Sequence, residues 1–161
     1  MFKRFLCILL TIAVLVTLVS CKEDYTHCEL TLRLTEDFKR EENSDFDLFY
    51  SNGIAAVALV RMSFSAALLQ DVPDYLTAYE FGLLWLDQCD REAEMISTPE
   101  VDYCTYYETA NGRKYFYLAS FYRSQYAYFT VLYCVDSSME NEWSEKFLDF
   151  AKTAYFNSFV E

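Results

Sequence analysis

Glycine and proline are scarce in this chain of 161 residues, three and two respectively, which excludes collagen-like and low-complexity architectures. Histidine is scarcer still. His27 is the only one, it lies next to Cys28, and neighbours on an extended strand point to opposite faces, so a Cys–His pair is not expected there. With no second histidine, Ser-His-Asp chemistry has no other base. No GxSxG, Walker or dinucleotide glycine pattern occurs. Basic residues are outnumbered, 13 against 25 acids, for a net charge of −12. Such a chain has little reason to bind nucleic acid or to lie flat on anionic lipid.

A long apolar run is present once, at the start. Lys3 and Arg4 precede Phe5 to Val19, which is apolar apart from two threonines. The run is shorter than the ~20 residues of a spanning helix and has the order of a secretory signal. It ends in Leu18, Val19, Ser20 and Cys21, followed at once by the charged KED. This order resembles the bacterial lipobox. The resemblance implies cleavage between Ser20 and Cys21, a diacylglycerol on the Cys21 thiol, and a mature chain lipid-anchored on the extracytoplasmic face of a bacterial cell envelope. Two acyl chains suffice for stable anchoring where one does not. An uncleaved anchor and a plain secretory signal are the competing readings. Losing Lys3 and Arg4 with residues 1–20 moves the net charge from −12 to −14. Residues 21–27 are then a polar tether, and 28–161 a single domain large enough to bury a core.

Within that domain the period of the apolar residues changes twice. Cys28 to Thr35 alternates, Phe46 to Ser51 reads as a second strand, and Asn52-Gly53 is a hairpin signal before Ile54 to Phe64, apolar on both faces and therefore central. Asp74 to Cys89 has helical spacing, with Asp74 a candidate cap. Residues 91–100 read as a linker. Three strands in a meander follow, turning at Asn111-Gly112 and Ser124-Gln125. A last amphipathic helix is predicted over 139–159, with Trp143, Phe147, Phe150, Ala151 and Ala154 on one side. The order βββ-α-βββ-α is an α+β fold with a mostly antiparallel sheet.

The meander register puts Tyr107 opposite Phe116, and Leu118 opposite Val131. One face then holds Tyr107, Phe116, Leu118, Phe129, Val131, Tyr133 and Val135. The other holds Cys104, Tyr106, Tyr115, Tyr117, Ala119, Phe121, Tyr128, Leu132 and Cys134. Neither is polar, so a helix is expected on each. Along CELTLRLTEDF, YLTAYEFGLLWL, NGRKYFYLASFYRSQYAYFTVLYCVD and WSEKFLDFAKTAYF, the element order looks like the PsbP-like fold, a three-layer α/β/α sandwich. That fold is shared by a photosystem extrinsic subunit, a Ran-binding nuclear import factor and small bacterial lipoproteins. The resemblance implies a non-catalytic binding or assembly subunit, and carries over no functional residue and no cofactor.

Tyr106, Tyr115, Tyr117, Tyr126 and Tyr128 share a face. They read as core under a helix or, where the helix leaves them open, as an aromatic platform for a sugar, peptide or protein. Glu41, Glu42, Asp45 and Asp47 lack the calcium-loop order and read as a solvated loop. A carboxylate hydrolase is the alternative function, but Asp102 and Glu108 are about 20 Å apart on one strand. Cys28, Cys89, Cys104 and Cys134 lack the close pairs of a metal site. On the register above, Cys104 and Cys134 are about 16 Å apart, too far to bridge. Cys89–Cys104 with Cys28–Cys134 is the expected pairing, Cys28–Cys104 with Cys89–Cys134 the alternative, and four reduced thiols the third outcome.

The lipid reading has a direct test. Intact mass of membrane-extracted protein should give a chain starting at Cys21 plus a diacylglyceryl group, and Cys21→Ala should abolish that product. A membrane-bound mutant that keeps residues 1–20 would favour the uncleaved anchor.

Overall fold

The computed structural model describes residues 29–157. The expected signal peptide, Cys21, the tether, His27 and Cys28 lie outside these residues. So do residues 158 and 159 of the last expected helix.

The core is a seven-stranded antiparallel sheet. Its strands are β2 (Lys39–Glu41), β3 (Leu48–Ser51), β4 (Ala55–Ser63), β5 (Ile96–Ser97), β6 (Asp102–Ala110), β7 (Arg113–Arg123) and β8 (Ala127–Asp136). They stand in the order β2-β3-β4-β8-β7-β6-β5. Two short strands, β1 (Glu29–Thr31) and β9 (Tyr155–Asn157), pair separately. Three α-helices complete the described residues, α1 (Phe64–Leu68), α2 (Ala78–Gln88) and α3 (Glu140–Thr153), the last preceded by a short 3-10 turn at Ser137–Met139. The α+β class and the antiparallel sheet are as expected.

The two faces of the meander are also as read from the sequence. Phe116, Leu118, Phe129, Val131, Tyr133 and Val135 form one core with Trp143, Phe147 and Ala151 of α3. Cys104, Tyr106, Tyr117, Ala119, Phe121 and Tyr128 form the other with Phe81, Trp85 and Leu86 of α2. Tyr107, at the outer strand, is exposed.

Several boundaries differ. The first strand is confined to Glu29–Thr31 and pairs with β9 rather than joining the large sheet. The last helix accordingly stops at Thr153, and Tyr155–Asn157 become that partner strand. The charged segment 36–45 contains the edge strand β2, and the linker 91–100 contains β5. Both short strands are exposed, so hydropathy gives no sign of them. The helix cap is Thr77, not Asp74. Its hydroxyl accepts from the Glu80 amide while Glu80 accepts from the Thr77 amide. This is a reciprocal capping box, and Asp74 lies outside it.

The β7–β8 register is corrected by two residues. Leu118 faces Tyr133 and Phe116 faces Val135, so the two loop residues are Gln125 and Tyr126. Ser124 supplies the cause. Its amide donates to the Ala127 carbonyl, and its hydroxyl accepts from the Tyr126 and Ala127 amides, which holds Ser124 at the flank of the turn. Asn52 does the same in the β3–β4 hairpin. Its side-chain oxygen accepts from the Ile54 and Ala55 amides, and the loop is Gly53-Ile54. At Asn111-Gly112 both central residues do have positive φ, 54° and 76°, the type I′ pattern.

Gly82 is where α2 meets the sheet. A Cβ there would lie 2.5 Å from Met95 Cε and 2.8 Å from Phe121 Cδ2. The Met95 tip can move, but the buried Phe121 ring is held by Phe81 and Trp85. Gly82→Ala should therefore lose about 1 kcal/mol net. The overpacking cost of ~1–3 kcal/mol outweighs a helix-propensity gain of ~1 kcal/mol. Urea denaturation measures this, and the penalty should shrink when Met95→Ala is combined with it.

Candidate functional site

Helix α2 and the segment after it close over the tyrosine face. Tyr128 stacks on Phe81, with ring centroids 4.4 Å apart and planes 7° apart, and its hydroxyl donates to the Pro73 carbonyl at 2.6 Å. Tyr106 stacks on Tyr117 at 5.1 Å and 2°. Both pairs are buried, Tyr115 is half-buried, and only Tyr126, in the β7–β8 turn, is exposed. Of the two readings of this face, core under a helix holds for Tyr106, Tyr117 and Tyr128, and the open aromatic platform is corrected. The five tyrosines do not form one open surface, because Phe81, Trp85 and Arg91 occupy the space above the central ones.

Arg91 is the residue that the sequence reading missed. It follows α2 directly and folds back over the aromatics. Its guanidinium lies 4.5 Å from the Trp85 ring and 4.4 Å from the Tyr106 ring. Its Nε donates to Glu108 Oε1 at 2.9 Å, and Nη2 donates to the same oxygen. Planar, weakly hydrated Arg suits such a sandwich where Lys would not. Arg91 Nη1 and the Tyr106 hydroxyl are buried without a hydrogen-bond partner among the described residues. No periodic pattern marks Arg91, which stands in a polar stretch that reads as a linker. Glu108 is engaged by Arg91 and is not paired with Asp102.

The thiols surround this cluster. Cys89, Cys104 and Cys134 are free in the structure, so the Cys89–Cys104 bridge is not formed here. Burial pushes the Cys104 thiol up to about 12 and the Cys134 thiol up to about 11, and it also raises Cys89. At neutral pH these are protonated, poorly nucleophilic thiols. In the corrected register Cys104 faces Ala119, which faces Leu132, while Cys134 faces Tyr117. Cys104 and Cys134 are then about 12 Å apart, still beyond disulfide reach. Among the described residues, no group of three or more His, Cys, Asp or Glu is placed to hold a metal ion.

The surface offers two further features. The first is the outer edge of the sheet. Strand β5 covers only Asp102 and Tyr103 of β6. Ala110 and Arg113 flank the type I′ turn and form its hydrogen-bonded pair. By alternation, Thr105, Tyr107 and Thr109 turn their N–H and C=O groups away from β7. All three are exposed. The second is the end of the sheet at the β7–β8 turn, where Leu68, Leu69, Tyr75 and Tyr126 are exposed.

The fold is similar to a crystal structure from Bacteroides thetaiotaomicron, with a TM-score of 0.56 at 11% identity over 84% of this chain. This chain spans 50% of the length of that one. It is also similar to the solution structure of cyanobacterial PsbP (CyanoP) from Synechocystis sp. PCC 6803, with a TM-score of 0.48 at 12% identity, covering 87% of this chain and 99% of that one. LpqN, involved in cell envelope biogenesis of Mycobacterium tuberculosis, is similar with a TM-score of 0.46 at 10% identity, covering 84% and 87%. No family model matches the chain, and no curated protein matches it. At these identities the likeness concerns the fold alone.

Arg91 and Glu108 should behave as one unit. Arg91→Met should cost about 1–3 kcal/mol, because it leaves the Glu108 carboxylate unpaired against Tyr106. Arg91→Met with Glu108→Gln should recover most of that loss in chemical denaturation.

Proposed function

We propose that this protein is a lipid-anchored extracytoplasmic subunit that works by binding rather than catalysis, and that it takes its partner as an added strand on β6. The anchor reading rests on the order Leu18-Val19-Ser20-Cys21 at the end of a secretory-type apolar run. Among the described residues, no helix is long and apolar enough to cross a membrane.

The single observation that carries the binding reading is the outer edge of β6. Thr105, Tyr107 and Thr109 present three outward N–H and C=O pairs, spaced by two residues, beyond the end of β5. A strand edge of this kind is a template for an extended peptide, with main-chain hydrogen bonds giving affinity and side-chain contacts giving selectivity. The opposite edge of the sheet is different. There β2 is Lys39-Arg40-Glu41, short and wholly charged, which discourages pairing. On the β6 edge the exposed side chains are Thr, Tyr and Thr, with Lys114 lying 4.0 Å from the Tyr107 ring. The side chains of the edge strand itself are uncharged, although Lys114 and Glu140 engage Tyr107, and they suit a partner segment of β-branched and aromatic residues.

Proline at an outward position removes one donor of the edge and leaves the β6–β7 ladder intact. Thr105→Pro should reduce recovery of the partner in pull-downs from native membranes at least tenfold, while Thr105→Ala retains it. Equal recovery with both variants would rule out strand addition at this edge.

A further inference from the structure

We propose that the β7–β8 turn end of the domain faces the membrane and seats its exposed apolar side chains in the bilayer interface. The proposal rests on the anchored reading above and adds an orientation to it.

The first argument is where the chain enters the domain. Leu30 pairs with Phe156, the Phe156 ring lies 5.4 Å from Phe129, and Phe129 faces Tyr122 close to the β7–β8 turn. The described chain therefore begins at this end of the sheet. Seven residues lie between Cys21 and Glu29, and the eight steps from one to the other span at most about 28 Å. Strand β7, Arg113 to Arg123, runs the length of the sheet, about 33 Å at 3.3 Å per residue. Tyr122, level with Phe129, lies nine residues from Arg113, so an inverted domain would hold the start of the described chain about 30 Å from the bilayer, beyond a fully extended tether. The turn end is the one that the lipid holds near the membrane.

The second argument is what that end displays. Leu68 is 58% exposed, Leu69 71%, Tyr75 76% and Tyr126 48%. They come from separate segments that hydrogen bonds draw together. The Phe64 amide donates to the Tyr126 carbonyl at 3.0 Å, joining α1 to the turn. Tyr128 donates to Pro73 O, and Arg123 Nη2 donates to Asp74 O at 3.0 Å, which pins the segment bearing Tyr75. Leucine with tyrosine is the composition of a surface half in acyl chain and half in headgroup. Asp71 and Asp74 on the same segment are exposed. Their charge limits entry to the interface layer and disfavours anionic lipid, so a zwitterionic bilayer is the matching surface.

The test uses the full-length protein extracted from membranes and reconstituted in phosphatidylcholine vesicles. A benzophenone amino acid replaces Tyr75 in one sample and Ile54, exposed at the opposite end, in another. After illumination, position 75 should give at least ten times the lipid adduct of position 54. Equal adducts on a chain carrying the diacylglyceryl mass at Cys21 would overturn the orientation and leave anchoring intact. A chain without that mass would overturn both. The unsubstituted protein gives an independent readout. Amide exchange over residues 68–76 should slow on vesicles relative to residues 52–54, and unchanged exchange there would sink the orientation.

Discussion

The pair β7–β8 is apolar on both faces, and the rest of the chain is disposed to cover it. Phe116, Leu118, Val131 and Tyr133 need one layer, and Tyr117, Ala119, Phe121 and Tyr128 need another. At roughly 25 cal/mol per Å² of apolar surface, leaving either face wet would forfeit several kcal/mol. Helix α3 answers the first demand with Trp143, Phe147 and Ala151, and α2 the second with Phe81, Trp85 and Leu86. The two short strands β1 and β9 extend the α3 side, where Leu30 and Phe156 join that core.

The two layers solve different packing problems. Beneath α3, the Tyr122 hydroxyl donates to the Ala151 carbonyl at 2.7 Å, while Trp143 Nε1 is buried without a hydrogen-bond partner among the described residues. Beneath α2 the sheet carries large flat rings, and flat rings pack by stacking. Tyr128 lies on Phe81 and Tyr106 on Tyr117. Gly82 lets the helix approach Phe121, and Arg91 caps the end of the row, where a guanidinium covers two rings at once. A helix with a side chain at position 82 would stand farther off and loosen the stacks.

The faces were legible in the sequence even though one register was not. Moving the β7–β8 turn by one residue shifts the pairing by two, and a two-residue slip keeps every side chain on its own face. Side-chain alternation therefore survives an error in the turn. Both the β3–β4 and β7–β8 turns sit one residue later than their sequences suggest, because Asn52 and Ser124 cap the loops from the flank with their side chains. Thr77-x-x-Glu80 was a readable capping signal. Strands β2 and β5 carry no such signal, being exposed, and Arg91 gains its role only from aromatics far along the chain. The choice between core and open platform on the tyrosine face is left undecided by the sequence for a related reason. Sequence shows that a face is aromatic but not how far a helix of eleven residues and its following loop extend across it.

The remaining asymmetry lies along the strands. At the Asn111-Gly112 end the exposed groups are mostly polar or charged, with Ile54 of the β3–β4 turn an exposed apolar side chain among them. Arg113 and Lys114 stand beside Asp136, whose carboxylate accepts from the Ser138 hydroxyl and amide and is thereby held below its ordinary range. There too, Tyr107 is exposed but donates to Glu140. At the β7–β8 end, Leu68, Leu69 and Tyr75 have no comparable polar engagement of their side chains among the described residues. Two leucines and a tyrosine left in water on a domain with two complete cores do not help it fold. Their burial gain is available only outside the folded monomer. That end is also where the described chain begins, so the apolar end and the entry of the chain into the domain coincide.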